Sequence, residues 1–228
     1  MWSKPSQNTL QRLFQPHGKP TMAHVSAGWE FQRRGLVGGM CLAAMAAVVL
    51  VTPLAWPEGS WQNVLLFTAG WPLFVCGAAL RWWATLYIGG RKERELVCEG
   101  PYSLCRHPLY LASLLLALSA AVMLGSFLFL AGVAVAALYY ALFTVPSEER
   151  FLRGLFGPAY DAYCQSVPRY LPRWSGYRSP SVLRVSTKAL RLEGRRALRW
   201  LWLPVLVQLA NHLRCQPWWW EWLGTMTS

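Results

Sequence analysis

Four apolar blocks with no acidic or basic residue govern what this chain can fold into. They are Leu36–Ala55, Trp61–Leu80, Pro108–Gly125 and Ser126–Pro146. Each comes near the roughly 20 residues that a helix needs to cross the hydrocarbon core of a bilayer. The apolar residues, 54% of the chain, are gathered in these blocks rather than spread at helix or strand period, so the chain does not read as a soluble domain. The expectation is an all-α, polytopic membrane helical bundle with four spans. A further apolar run, Trp200–Ala210, is short and interrupted by Pro204. It is read as a possible fifth C-terminal span or an interfacial helix, the latter fitting its length better.

Charge sets the orientation. The formal net charge is +12, which raises nucleic acid as a partner, but the placement of the charges argues for membrane topology instead. Lys4, Arg12, Lys19, Arg33 and Arg34 precede the first block, Arg91, Lys92, Arg94 and Arg106 lie between the second and third, and a long series from Arg150 to Arg199 follows the fourth. Trp56–Ser60 and the Gly125-Ser126 corner carry no Lys or Arg. This alternation is the positive-inside pattern and puts both ends of the four-span core in the cytoplasm. The basic residues then contact anionic membrane lipids, and nucleic acid is set aside. Three parts follow: a cytoplasmic N-terminal arm over 1–35, a transmembrane core over 36–172, and a basic, Trp-rich C-terminal extension over 173–228. None of the six cysteines forms a Cys-x-x-Cys pair and no His-x-x-x-His spacing accompanies them, so neither a disulfide frame nor a metal is expected.

The third and fourth blocks meet at so short a corner that they form an antiparallel hairpin, which returns the end of the fourth block to the level where the third began. The chemistry-bearing residues gather at that level. Gly100-Pro101 breaks the chain, and Arg106-His107-Pro108 then sets a fixed cation and a titratable ring before a proline suited to the first turn of a helix. Glu148 and Glu149 close the fourth block on the same face. Phe151, Leu152, Leu155 and Phe156 share one helical face, read as lying in the membrane interface, and Arg81-Trp82-Trp83 reads as an interfacial belt with a snorkelling arginine. A mouth of Arg, His, Tyr and paired Glu suits a zwitterionic sulfonium cofactor: cations hold its carboxylate, a glutamate its ammonium or ribose, and tyrosine faces its sulfonium. The same cluster also reads as charges that merely pin two helices, and spacing alone leaves both readings standing.

Gly100-x-Tyr102-x-x-x-Arg106-His107-Pro108-x-Tyr110, followed by Glu148-Glu149-x-x-Leu152, Phe156-Gly157-x-x-Tyr160-x-x-Tyr163 and Val167-Pro168-Arg169, resembles the isoprenylcysteine carboxyl methyltransferase family and the related phospholipid N-methyltransferases. The match covers roughly Leu96–Pro172, and two ordered motifs at the right separation make it fairly specific. The resemblance implies S-adenosylmethionine held at the cytoplasmic ends of the last two core helices. It implies cofactor contacts at Leu96, Val97, Gly100, Tyr102, His107, Pro108, Tyr110 and Glu148, with Arg106, His107 and Glu149 as candidate catalytic residues. Arg106 and Glu149 also suit a pair that holds the site closed, and Tyr160 and Tyr163 suit packing. The family pattern has an arginine four residues before the glutamate matching Glu148; here that position is Thr144. A lipid or hydrophobic small molecule therefore ranks above a prenylated cysteine as methyl acceptor, with Arg81 or Arg150 as substitutes for the missing cation.

Methyl transfer from a sulfonium is an in-line displacement in which alignment supplies most of the acceleration. A carboxylate acceptor needs no base, whereas an amine requires one, for which Glu149 or His107 is available. Two rivals belong to other classes. A sterol-type membrane reductase would use a reduced nicotinamide and hold its phosphates at Arg91–Arg94. A transporter or scaffold would be non-enzymatic, and a transporter usually sets polar residues near the midplane, where these blocks have none.

Overall fold

The computed structural model describes residues 44–45, 47–89, 95–180 and 187–227. The N-terminal arm, most of the first apolar block, Cys41 and the loop Arg91–Arg94 lie outside the described residues. Every regular element described is helical: α1 (Trp61–Ile88), α2 (Pro101–Leu104), α3 (Pro108–Leu124), α4 (Phe127–Tyr139), a π-helical turn (Tyr140–Thr144), α5 (Val145–Phe156), α6 (Pro158–Ser166), a 3-10 turn (Trp174–Gly176), α7 (Thr187–Leu201), α8 (Leu203–Arg214) and α9 (Pro217–Thr227).

Among the described residues two helices are long and apolar enough to cross a membrane: Trp61–Ile88, and the continuous helix Phe127–Phe156 made of α4, the π-turn and α5. The hairpin partner α3 is apolar throughout but has 17 residues, about 25 Å at 1.5 Å per residue. Of the four expected spans, the second and fourth fall in these two helices and the third in α3, while the first lies largely outside the described residues. The 3–4 corner falls at Gly125, whose φ of +57° suits a residue without a Cβ.

The described residues form two compact units. One contains Val75–Leu116 and Ala137–Trp200; the other contains the described parts of 18–74 and 201–228 together with Ala117–Ala136. In the first, Gly77 lets α1 approach α3 closely: a Cβ there would meet Leu116, Leu115 and the Ala112 carbonyl at 3.0–3.1 Å. In the second, a Cβ on Gly70 would collide with Met123. Small residues at a helix seam of this kind let backbones pack where no hydrophobic force drives helices together.

Three local expectations change. The face of Phe151, Leu152, Leu155 and Phe156 is not simply interfacial: Phe156 is buried with Tyr160, Tyr163 and Val167, and Leu152 and Leu155 pack on that cluster. Helix α5 turns back through Gly157 (φ +55°) into α6, so its apolar side is covered by the chain itself. Arg81 does not snorkel outward; its Nη1 donates to Ser113 Oγ at 3.0 Å and its guanidinium lies over the Trp200 ring. Pro204 starts a helix rather than interrupting one, because a first-turn proline has no backbone bond to lose. The helix it opens, α8, buries Val207, Asn211 and Arg214.

Candidate active site

The site lies within the unit holding Val75–Leu116 and Ala137–Trp200 and is built from three pieces: the loop 95–107, the end of the helix Phe127–Phe156, and a strap from Val167 to Arg178. Lacing between backbone groups fixes the loop to the strap. Arg106 N–H donates to the Pro168 carbonyl at 2.9 Å, Arg173 N–H to Leu104 at 3.0 Å, and Gly100 N–H to Arg178 at 2.7 Å. Tyr163 adds its hydroxyl to the Tyr102 carbonyl at 2.7 Å, which accounts for its burial. Gly100 has φ +60°, and a Cβ there would run into the Tyr87 ring. This glycine is needed twice over, for its dihedral and for its contact.

The polar centre is Glu149, 3% exposed. Arg106 Nη1 donates to its Oε1 at 2.9 Å, His107 Nε2 lies 3.2 Å from the same oxygen, and Arg169 grips both oxygens through Nε and Nη2. Facing a carboxylate, Nε2 carries the proton, so Nδ1 is the ring's remaining acceptor. Burial lowers the pKa of His107, with the Glu149 bond acting against that shift. The Arg169 guanidinium is pushed above its usual range, chiefly by the hydrogen bond to Glu149. A carboxylate gripped by two guanidiniums is a poor proton acceptor, so the general-base alternative for Glu149 does not fit this geometry. Its partnership with Arg106 does. Arg169 carries no role in the sequence reading, although Val-Pro-Arg is one of the quoted motif pieces; the signal was present, and what was absent was its long-range partner.

Glu148 faces a different neighbour, accepting from the Tyr110 hydroxyl at 2.7 Å. Around it runs a ladder of rings: Tyr170 to His107 (6.4 Å between centroids), His107 to Tyr110 (5.7 Å) and Tyr110 to Tyr140 (5.7 Å). The π-turn explains how the ladder is held. Val145 N–H bonds to the Tyr140 carbonyl, five residues back, and Pro146 has no N–H to offer. The Ala141 carbonyl is therefore left open by the backbone, and the Tyr170 hydroxyl takes it at 3.2 Å. Single π-turns inside α-helices recur at functional sites.

Of the other sequence-assigned residues, Val97 and Tyr102 are buried together beside Ala84 and Tyr87, Leu96 packs on the Phe156 cluster, and Pro108 is fully buried at the start of α3. Tyr102 is 7% exposed, yet its hydroxyl has no hydrogen-bond partner. Burial raises its pKa far above the ordinary value, with Glu148 adding to the shift, so it stands as a neutral donor awaiting an acceptor. Cys98 and Cys105 are likewise raised by burial, to about 12 and about 11, and are inert thiols rather than nucleophiles.

A family model described as phospholipid methyltransferase matches residues 64–159. The cobalt-zinc-cadmium resistance protein CzcN of Cupriavidus metallidurans is 38% identical over 154 residues, covering 66% of this chain and 69% of that protein. The nickel-cobalt-cadmium resistance protein NccN of Alcaligenes xylosoxydans xylosoxydans is 30% identical over 204 residues, covering 87% and 95%. The protein-S-isoprenylcysteine O-methyltransferase B of Arabidopsis thaliana is 28% identical over 142 residues, covering 58% and 72%. No solved structure matches significantly. Two ordered motifs, a matching family model and relatives aligned over most of their length place the chain in the isoprenylcysteine carboxyl methyltransferase and phospholipid methyltransferase family of membrane methyltransferases.

Proposed function

We propose that this protein is an S-adenosylmethionine-dependent methyltransferase of the membrane, acting on a lipophilic acceptor from a cofactor site at the cytoplasmic mouth of its helices. The observation that carries the reading is the mouth itself. Glu148, Tyr110, His107, Tyr140 and Tyr170, drawn from three separated segments, form one wall beside the buried, unpartnered hydroxyl of Tyr102. These residues fit the cofactor: Glu148 offers a carboxylate to an ammonium or ribose, the tyrosine faces attract a sulfonium, and Tyr102 offers a donor with an unmet need. When bound, the cofactor supplies an electrophilic methyl carbon on a positively charged sulfur.

The chain's own residues align and exclude. Tyr110 fixes the Glu148 carboxylate, and the Glu149 cluster holds loop and strap together. Neutral His107 keeps Nδ1 as an acceptor, the one imidazole position able to take a proton if the acceptor carries one. The names of two relatives concern resistance to cobalt, zinc, cadmium and nickel. We attach any such role here to methyl transfer in the membrane rather than to metal ligation, because no group of three or more His, Cys, Asp or Glu among the described residues is placed to hold a metal ion.

The test is calorimetry on detergent-purified protein with S-adenosylmethionine, its demethylated product and reduced nicotinamides. Binding of the first two and not the third is expected. Glu148→Ala is expected to weaken S-adenosylmethionine by a contact of about 1.5–3 kcal/mol, roughly tenfold to a hundredfold, without loss of fold. No binding by the parent protein, or unchanged affinity in Glu148→Ala, overturns the reading.

A further inference from the structure

Loop, α6 and strap enclose a cavity that the mouth does not use. Its volume is about 220 Å³, and its lining includes Cys98, Ser103, Tyr163 and Ser166 together with Arg173 and Arg178 of the strap. Glu148, Glu149, His107 and the rings of Tyr110, Tyr140 and Tyr170 do not line it. The backbone on both sides of the cavity is pinned. Arg173 N–H donates to the Leu104 carbonyl at 3.0 Å, and the Arg178 carbonyl accepts from Gly100 N–H at 2.7 Å. Arg178 N–H donates in turn to Ser103 Oγ at 3.0 Å, and that hydroxyl gives its own proton to the Gly100 carbonyl at 2.6 Å.

The two guanidiniums that reach this cavity are largely unspent. Arg173 donates through Nη2 to the Ser166 carbonyl, and it has no carboxylate partner among the described residues. Arg178 bonds only through its backbone groups, so its whole fork is left for a ligand. The cavity supplies no anion of its own. Burial first, and Glu99 second, push the Cys98 thiol up to about 12 against the pull of Arg178, so it stays neutral; Glu99 forms no ion pair with either arginine. Two unpaired guanidiniums lining one small cavity match the oxygens of a phosphate.

The rest of the strap says what carries that phosphate. Leu171 is 80% exposed, Trp174 72% and Tyr177 47%, and all three are interleaved with the two arginines. Large apolar side chains gathered in the open mark an interaction surface. Tyr177 sets its level: the ring lies 6.0 Å, centroid to centroid, from that of Trp83, near the end of a helix long enough to cross a membrane. Trp and Tyr collect where hydrocarbon gives way to water, and a basic pocket at that level suits an anionic lipid head group.

We propose that Arg173 and Arg178 hold the phosphate of an anionic phospholipid whose chains lie along Leu171, Trp174 and Tyr177. This lipid is a resident partner of the fold and not a methyl acceptor, so the site stands whether or not the chain transfers methyl groups. A zwitterionic head group would bring a second cation to the two guanidiniums and is disfavoured. Because the backbones of Arg173 and Arg178 are tied to Leu104 and Gly100, a lipid that bridges their side chains also braces the loop 95–107.

The experiment takes the purified full chain in detergent micelles and adds phosphatidylglycerol, phosphatidylcholine or soluble glycerol 3-phosphate. Native mass spectrometry reads binding, and a thermal scan reads its effect on the fold. The expected result is a roughly tenfold preference for phosphatidylglycerol over phosphatidylcholine, the worth of one charge-assisted contact. The melting temperature should climb with phosphatidylglycerol concentration, as it does for any ligand of the folded state. Arg178→Gln should remove most of the preference and the climb, while melting like the parent in lipid-free detergent, since its side chain bonds nothing in the fold. Trp174→Ala should weaken the lipid several-fold. Lys188→Gln, which deletes an exposed charge outside the cavity, should keep both effects. If Arg173→Gln does not fold, Arg178→Gln decides alone. A parent protein without the preference, or a preference that survives Arg178→Gln, overturns the proposal. An equal loss in Lys188→Gln would reduce it to diffuse surface charge, and glycerol 3-phosphate binding as tightly as the lipid would make it a soluble-anion site; either result overturns the lipid assignment.

Discussion

Glu149 is the residue on which the mouth depends, and its value lies in what it neutralises. Removing a buried carboxylate strands the charges it paired, at about 3–5 kcal/mol; Glu149→Ala should therefore melt far below the parent in a detergent thermal scan. Arg169→Ala should cost only about 1 kcal/mol, since its side chain is 41% exposed and solvent screens such pairs. His107 gives the site a pH signature. Its folded pKa lies below the ordinary 6.5, so the unfolded chain binds the proton first as pH falls. Stability from this group is full above the ordinary value and declines as pH drops through it toward the folded one. The melting temperature of the parent should fall between roughly pH 7.5 and 5.5 more than that of His107→Asn. The Arg106–Glu149 pairing was legible, because a hairpin brings the two motifs to one level. Arg169 was not assigned, because nothing local in Val-Pro-Arg says that the strap folds back across 20 residues onto Glu149.

At the scale of elements, the π-turn before Pro146 stands out. A regular α-helix would drive the proline ring into the carbonyl four residues earlier; the wider turn relieves that contact and leaves the Ala141 carbonyl for Tyr170. Pro146→Ala should let the helix regularise. We expect a raised melting temperature together with roughly tenfold weaker S-adenosylmethionine binding, as Tyr170 and Tyr140 lose their placement. A variant that gains stability and keeps full affinity would show the turn to be passive. The sequence could not announce this turn: a block that is apolar at nearly every position has no period from which an extra residue could be read. The same lack of period ended the fourth block at Pro146, where the helix in fact runs on to Phe156.

At the scale of the whole molecule, α8 does what composition did not foretell. Arg214, 3% exposed, spreads its guanidinium over the Thr52, Pro53 and Leu124 carbonyls at 2.8, 2.9 and 3.3 Å. Asn211 donates to Met123 at 2.9 Å, and Trp219 reaches the Leu50 carbonyl at 3.0 Å. These carbonyls belong to the chain just beyond residue 50 and to the end of α3, the end away from His107. Arg214→Leu would leave them unsatisfied, and Arg214→Lys would lack the fork that spans them. Both should lower the melting temperature, the leucine variant more, by several kcal/mol, while cofactor affinity in the surviving folded fraction stays level. A run read as short and broken by proline gave no hint of partners some 90 and 160 residues distant.

That clasp also has a place in time. Residues 203–214 leave the ribosome after the segments whose carbonyls they cap, so the nascent chain inserts its earlier helices with the carbonyls at 52, 53, 123 and 124 still without these donors. Throughout that interval the growing protein must borrow donors from water, lipid head groups or the insertion machinery, and assembly closes only when the guanidinium of Arg214 arrives.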